Sequence, residues 1–348
     1  VIAGLGVWQL TKLPIDAVPD ITTKQVQINT VDPRLSPVEI EKLVTYPVEI
    51  SLAGIPGLET TRSISRNGFS QVSAIFTDST DLYFARQQVG ERLRQAAENL
   101  PDGVEPQIGP VTTGLGEIVM YTVGYANPDG KGAKKVAGQP GWQPDGSYLT
   151  PEGERLTDAV EKAGYLRTVQ DWIIGPQLRS VKGVAGVDSI GGFAKTFVVE
   201  PDPTKLASFG ISYSELGQAL ENANLAVGAN YYNKGGEAYL VRVDSRVRTV
   251  DEIRNAVAAT RGGTPVTIGQ IANVRIGGDL RTGGGSMNGR EAVIGTVLML
   301  IGQNSRVVAE QASTKLDQIT KTLPPGIQVK VVLNRAELVG ATVATVQR

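Results

Sequence analysis

Glu117 stands in Ile108-Gly109-Pro110-Val111-Thr112-Thr113-Gly114-Leu115-Gly116-Glu117-Ile118-Val119-Met120-Tyr121-Thr122-Val123, where glycine and proline give way to an apolar, β-prone run. A carboxylate inside an apolar strand is costly unless it is paired, hydrogen-bonded or bound to a cation. Three readings stay open: a strand-end Glu facing water, an ion pair with a neighbouring Arg, or a cation ligand. Asp171 lies in a helical pattern, Leu166–Ser180, beside Trp172. Its rival reading is an i,i+4 pair with Arg167, worth a few tenths of a kcal/mol. The chain has no Cys and no His, which removes thiolate and imidazole ligands and excludes Ser-His-Asp and Cys-His catalysis. A cation here meets carboxylate, carbonyl, water or three scattered methionines. Met120 and Met299 read as core residues of apolar strands, and Met287 as a turn residue outside any cluster. Gly283-Gly284-Gly285 lacks the Lys-Ser/Thr and helix start of a phosphate loop. No nucleophile–base pair is visible, so the chain does not read as an enzyme.

These residues must be held by a fold. The 348 residues suffice for two or more domains of roughly 100–200 residues each. With 34 basic and 35 acidic residues, nothing suggests a nucleic-acid partner. Val1–Leu10 is apolar, with Trp8 and Lys12 at its end, and reads as the trailing half of a transmembrane helix followed by a stiff linker to residue 21; the alternative is an apolar core strand. A strand at Gln25–Thr30 precedes a helix from Ser36 to Ala53. A hairpin turned at Asn67-Gly68 joins Leu58–Arg66 to Phe69–Thr77. A helix capped by Asp81 and a closing strand at Glu105–Ile108 complete a split βαβ sandwich over 22–111.

The Glu117 strand opens a second unit, 112–200, interrupted by a Gly- and Pro-rich surface insertion at 125–156 with a short hairpin at Pro144-Asp145-Gly146. Gly57-Leu58 … Ser63-Ile64 recurs as Gly183-Val184 … Ser189-Ile190, and Gly68-Phe69 … Asp78 … Leu82 as Gly192-Phe193 … Asp202 … Leu206. Leu100-Pro101-Asp102-Gly103 recurs as Leu323-Pro324-Pro325-Gly326. The expected class is therefore α+β: two ferredoxin-like split βαβ sandwiches, the second interrupted by an inserted α+β unit at 201–275. That insert carries helices at Asp202–Phe209, Tyr213–Asn222 and Thr249–Ala258, a long hairpin from Ala226 to Val243, and a strand at Val266–Val274. The hairpin suits docking into a neighbouring subunit by strand addition; the alternative is a solvated loop. The second sandwich resumes at 276–335, and 336–348 is a helix leading onward.

Leu13-Pro14-Ile15-Asp16-Ala17-Val18-Pro19-Asp20-Ile21, Tyr83-Phe84-Ala85-Arg86-Gln87, Thr113-Gly114-Leu115-Gly116-Glu117-Ile118, Leu166-Arg167-Thr168-Val169-Gln170-Asp171-Trp172 and Val297–Ser305 follow in order. Together they resemble the inner-membrane pump subunit of resistance–nodulation–division efflux systems, in the heavy-metal efflux branch. The resemblance covers nearly the whole chain apart from 125–156. It implies the first periplasmic loop between two transmembrane helices, made of two porter subdomains and a docking subdomain. It further implies a homotrimer joined through the docking hairpin, a periplasmic adaptor and an outer-membrane channel. The cargo it implies is a divalent cation (Zn, Co, Ni or Cd) exchanged for protons, with no resident cofactor. By the same match, Glu117 and Asp171 are this loop's share of an acidic cation site; carboxylates suit such ions, and soft Cu(I) prefers sulfur. A multidrug relative binding amphipathic organic molecules, or a non-transport scaffold of the same fold, remain alternatives.

Overall fold

The computed structural model describes residues 22–113, 115–224, 226–234, 237–244, 247, 249–278 and 283–346. The apolar stretch Val1–Leu10 and its linker lie outside these residues, as does Gly114. No helix among the described residues is long and apolar enough to cross a membrane.

The first sandwich runs β1 (Lys24–Val31), helix α1, β2 (Leu58–Arg66), β3 (Phe69–Phe76), α2 (Leu82–Ala96) and β4 (Gln107–Ile108). Helix α1 has three pieces: Pro37–Ile40, a π turn at Glu41–Thr45, and Tyr46–Leu52. Ser36 starts it with a capping box to Glu39. The sheet order is β2-β3-β1-β4, antiparallel throughout, with the hairpin turned at Asn67-Gly68 as expected. Val26, Ile28, Val72 and Ala74 bury one face of the sheet against Val44, Val48, Val89 and Leu93 of the two helices.

The second sandwich begins with β5 (Glu117–Tyr125). The insertion that follows is more ordered than its composition suggests. It forms a three-stranded sheet of β6 (Gly141–Trp142), β7 (Tyr148–Leu149) and β8 (Arg155–Leu156), with the expected hairpin between the first two. Trp142, Tyr148 and Leu156 are buried in the core of the second sandwich. Tyr125, Trp142 and Tyr148 meet at ring-centroid distances of 5.1–5.7 Å, mostly edge to face. The aromatic residues outweigh the Gly and Pro around them, because each buries a large apolar area.

Helix α3 has the same build as α1: Ala159–Val169, a π turn at Gln170–Ile174, and Gly175–Arg179. It starts seven residues earlier than the Leu166 start read from sequence, because Asp158 and Glu161 form a capping box. In both helices a proline is the second residue after the π turn: Pro47 after Tyr46, Pro176 after Gly175. Proline has no N–H to give the carbonyl four residues back and crowds it. The wider turn absorbs that conflict, with Tyr46 N–H donating to Glu41 O and Gly175 N–H to Gln170 O, five residues back.

β9 (Val184–Ile190) leads into the inserted unit: β10 (Lys195–Pro201), α4 (Pro203–Phe209), α5 (Tyr213–Asn222), the hairpin β11 (Ala226–Lys234) and β12 (Glu237–Asp244), α6 (Val250–Asn255), β13 (Val257–Arg261), β14 (Thr264–Thr267), α7 (Ile268–Ile271) and β15 (Ala272–Gly278). Here the sequence reading needs correction. The helix from Thr249 ends at Asn255, and a hairpin turned at Gly262-Gly263 follows it. The single strand at Val266–Val274 is instead a strand, a short helix and a second strand. β10 pairs with β15 and not with β9. The inserted unit therefore takes both strands, and its core runs from Leu206 to Val274.

The chain returns through β16 (Ser286–Met287) and β17 (Arg290–Glu291) to β18 (Val293–Met299), α8 (Ser305–Thr320), β19 (Ile327–Asn334) and α9 (Arg335–Val346). The second sheet has the order β19-β5-β18-β9, which repeats the first position for position. β18, not β10, is thus the counterpart of β3. The Gly192-Phe193 … Leu206 similarity is not a structural equivalence. The insert occupies the place of the tight Asn67-Gly68 turn.

Candidate cation site on the open face of the second sheet

The loop ahead of Glu117 is closed by Gly116 N–H donating to Thr113 O (2.9 Å) and by Met299 N–H donating to Gly116 O (2.7 Å). The buried Arg335 guanidinium donates to Leu115 O. Gly116 is required here: a Cβ at that position would collide with the Thr112 hydroxyl.

A β-bulge then decides where Glu117 points. Val119 opposes Val297 and Glu117 opposes Leu298, so Ile118 is an extra residue in β5. Ile118 and Val119 both enter the helix-side core, as does Val297. Simple alternation would have put Glu117 with Val119 and Tyr121, under the helices. The extra residue turns it to the other face, beside Leu298. Glu117 is exposed there and, among the described residues, has no ion-pair partner. The strand-end ion pair considered from sequence is not formed.

Asp171 lies on the opposite layer. It sits in the π turn of α3, where its carboxylate accepts from Arg167 Nε at 2.7 Å. Arg167 Nη1 also donates to Gly191 O at 3.0 Å. Beside it, the fully buried Gln170 accepts from Tyr121 O–H at 3.0 Å and donates to Ser189 Oγ at 3.2 Å. These two bonds fix the π turn over the helix-side row Tyr121–Gly295–Ser189. The Tyr121 ring lies across Gly295, where any side chain would collide with it. Glu117 and Asp171 belong to one sandwich, as expected, but the sheet stands between them. The structure does not bring them into one coordination shell, and the i,i+4 pair with Arg167 is the contact Asp171 makes.

A different carboxylate shares the face of Glu117. Asp188 opposes Thr296, which opposes Met120, so the three form one row across β9, β18 and β5. Alternation from the helix-side residues Val187 and Ser189 places Asp188 on the open face. One bulged step along β5 from Met120, about 7 Å, stands Glu117. The Cα atoms of Glu117 and Asp188 are then about 12 Å apart, two strands across and one pleat along. That is the outer reach of two extended carboxylates on one ion. Partial desolvation pushes the Asp188 carboxyl above the usual carboxylate range, offset in part by the Arg179 charge. Asp188 escaped the sequence reading because Val187-Asp188-Ser189 looks like an ordinary amphipathic strand; the signal was its place opposite an apolar strand whose partner was not yet known.

The trough has walls. At the Leu298 end, Pro110 packs against Gly186. At the other end the β16–β17 hairpin lies over the sheet, and Thr122 O–H donates to Met287 Sδ at 3.3 Å. Gly283 approaches Ile190, and Gly285 approaches Ile294. Among the described residues no group of three or more Asp, Glu, His or Cys is placed to hold a metal ion. What the face offers is two separated, exposed carboxylates, with Leu298 and Thr296 of β18 between them.

The chain is 62% identical over 348 residues to the nickel-cobalt-cadmium resistance protein NccA of Alcaligenes xylosoxydans xylosoxydans, covering 100% of this chain and 32% of that protein. It is 60% identical to the nickel and cobalt resistance protein CnrA of Cupriavidus metallidurans, with the same coverage. The likeness to the cation efflux system protein CusA of Escherichia coli K12 is 33% over 336 residues, 96% of this chain and 29% of that one. Among solved structures, one described as a heavy metal efflux pump, crystal form II, superposes with a TM-score of 0.80 at 28% identity, over 99% of this chain and 31% of that chain. This chain therefore spans about a third of the length of the curated relatives it matches. The model of the AcrB/AcrD/AcrF family matches residues 1–348, from the first residue to the last, and the chain belongs to that family.

Proposed function

We propose that this chain is the periplasmic porter and docking portion of a proton-driven divalent heavy-metal efflux pump of the bacterial inner membrane. It is a transporter segment, not an enzyme. It works in a homotrimer joined through the hairpin Ala226–Val243, with a periplasmic adaptor and an outer-membrane channel. The observation that carries this reading is the 62% identity, along the whole chain, to a nickel-cobalt-cadmium resistance protein. With no His and no Cys, carboxylates are the charged ligands this chain can offer a divalent cation.

Within that reading, Glu117 is this chain's cation ligand, and Asp188 is its partner on the same face. Asp171 serves instead to seat helix α3. The test is metal tolerance of cells that depend on the complete transporter. Glu117→Ala with Asp188→Ala is expected to abolish Co²⁺ and Ni²⁺ tolerance, while Asp171→Asn retains most of it. Tolerance that survives the double substitution would remove both residues from the site.

One observation favours a second reading, an organic amphipathic cargo. A cavity of about 420 Å³ lies between α3, the insertion and the β10–β15 ladder, lined by Tyr165, Trp172 and Ile276 and by the charged Glu152, Glu161 and Lys195. Its size, with apolar and charged walls together, suits an amphipathic drug-sized molecule. Sensitivity to lipophilic dyes, unchanged by Glu117→Ala and raised by Trp172→Ala, is the result that would support it.

A further inference from the structure

The cavity between α3, the insertion and the β10–β15 ladder is lined by four carboxylates and two basic side chains. Both cations are already engaged. Lys195 Nζ donates to the two Glu154 carboxylate oxygens at 2.8 and 2.7 Å, and Arg275 Nη2 donates to Glu200 Oε1 at 2.6 Å. Asp158 and Glu161 form the capping box of α3, where backbone N–H groups and the helix dipole offset their charge. Glu152 differs. Among the described residues it has no cationic partner, and its carboxylate accepts from Tyr165 O–H at 3.2 Å. Burial, and then the Glu152 charge, push the Tyr165 hydroxyl above the usual phenol range, so it stays protonated and donates. A second observation concerns Trp172, which lines the same cavity and is yet 79% exposed. The π turn puts it there: Tyr121 and Ser189 hold Gln170 under the helix, and Trp172, two residues on, faces outward. An indole left in water at the rim of a cavity is a large apolar surface without a partner.

We propose that this cavity binds a drug-sized organic cation, its charge against Glu152 and its apolar body against Tyr165, Trp172 and Ile276. The inference rests on the cavity of the organic-cargo reading and assigns the charge of its ligand. A carboxylate without a counter-ion attracts a cation, and the faces of Tyr and Trp rings attract the same charge, so the two contributions agree in sign. An anion would face the four carboxylates, and could reach a cation only by displacing Glu154 from Lys195 or Glu200 from Arg275. A neutral molecule would leave the Glu152 charge uncompensated. A hydrated metal ion would gain nothing from the apolar walls. An organic cation with an aromatic body uses every part of the lining.

The experiment titrates the 348-residue chain with berberine, a flat aromatic cation, and separately with anilinonaphthalene sulfonate, an aromatic anion; the fluorescence of both rises in apolar sites. The variants are Glu152→Gln, which removes the charge and keeps an acceptor for the Tyr165 hydroxyl, and Trp172→Ala, at an exposed position. The unaltered chain is expected to bind berberine more tightly than the anion. Each variant is expected to weaken berberine binding several-fold, and Glu152→Gln to leave the anion no weaker than before. Berberine affinity unchanged in Glu152→Gln but reduced in Trp172→Ala overturns the assignment of a cation and leaves an amphipathic site standing. Affinity unchanged in both variants, or no berberine binding by the unaltered chain, overturns the site and this inference together. Berberine binding lost in both variants, with the dye sensitivity of cells unchanged by Trp172→Ala, supports the cation site and removes only the cargo reading. Unchanged thermal unfolding of the two variants excludes a loss of fold as the cause.

Discussion

Asp188 ionises less readily than an ordinary aspartate because the trough partly strips water from its carboxylate, and the Arg179 charge repays only part of that cost. Its folded pKa is raised above the unfolded value. The charged form therefore opposes folding at neutral pH, and the penalty disappears as pH falls through the raised value. Asp188→Asn is expected to make the metal-free chain slightly more stable at pH 7, with a smaller difference at pH 4. Urea unfolding midpoints at the two pH values check this. An Asn variant less stable at pH 7 would show that the carboxylate is instead held by a favourable partner. Glu117 was legible in the sequence as an awkward carboxylate after two glycines. Its direction was not, because direction depends on one extra residue, Ile118, opposite a strand some 180 positions further along the chain.

At the scale of the element, helix α3 shows how one buried amide sets a helix on a sheet. Gln170 is fully buried and bridges Tyr121 and Ser189 from two strands. Gln170→Leu leaves the Tyr121 hydroxyl buried without its acceptor, and is expected to cost about 1–3 kcal/mol. Chemical denaturation measures it, and a loss below about 0.5 kcal/mol would mean that another group takes the hydroxyl. Divalent binding by this variant should persist, because Gln170 faces away from the trough. The π turns of α1 and α3 were anticipated only as unbroken helices, although Tyr46-Pro47 and Gly175-Pro176 held the signal. A proline inside a helical pattern predicts a break or a kink. Accommodation by a widened turn needs the following turns to be anchored, and that anchoring comes from the sheet beneath.

At the scale of the whole molecule, two sheets of identical strand order differ in what connects their second and third strands. In the first it is a two-residue turn; in the second it is the whole inserted unit with its own core. Ile190 and Ile294 are directly paired at the ends of β9 and β18. Replacing residues 191–293 by Asn-Gly is therefore expected to give a chain that still folds cooperatively, with a less stable second sandwich. Far-ultraviolet circular dichroism and thermal unfolding decide it. Failure to fold would show that the second sandwich depends on the inserted unit and on the hairpin that covers its open face.

By itself the sequence determined the local pieces: the Ser36 and Asp81 caps, the Asn67-Gly68 hairpin, the two-sandwich plan and the carboxylate at Glu117. These follow from short-range rules, in which a residue's neighbours set its conformation. Only the tertiary structure decided that β18 rather than β10 completes the second sheet, that a bulge turns Glu117 away from Asp171, and that Asp188 and Met120 lie beside it. Strand partners a hundred residues apart are chosen by which pairing buries both faces best, and a one-residue slip in such a pairing exchanges the faces of every side chain beyond it.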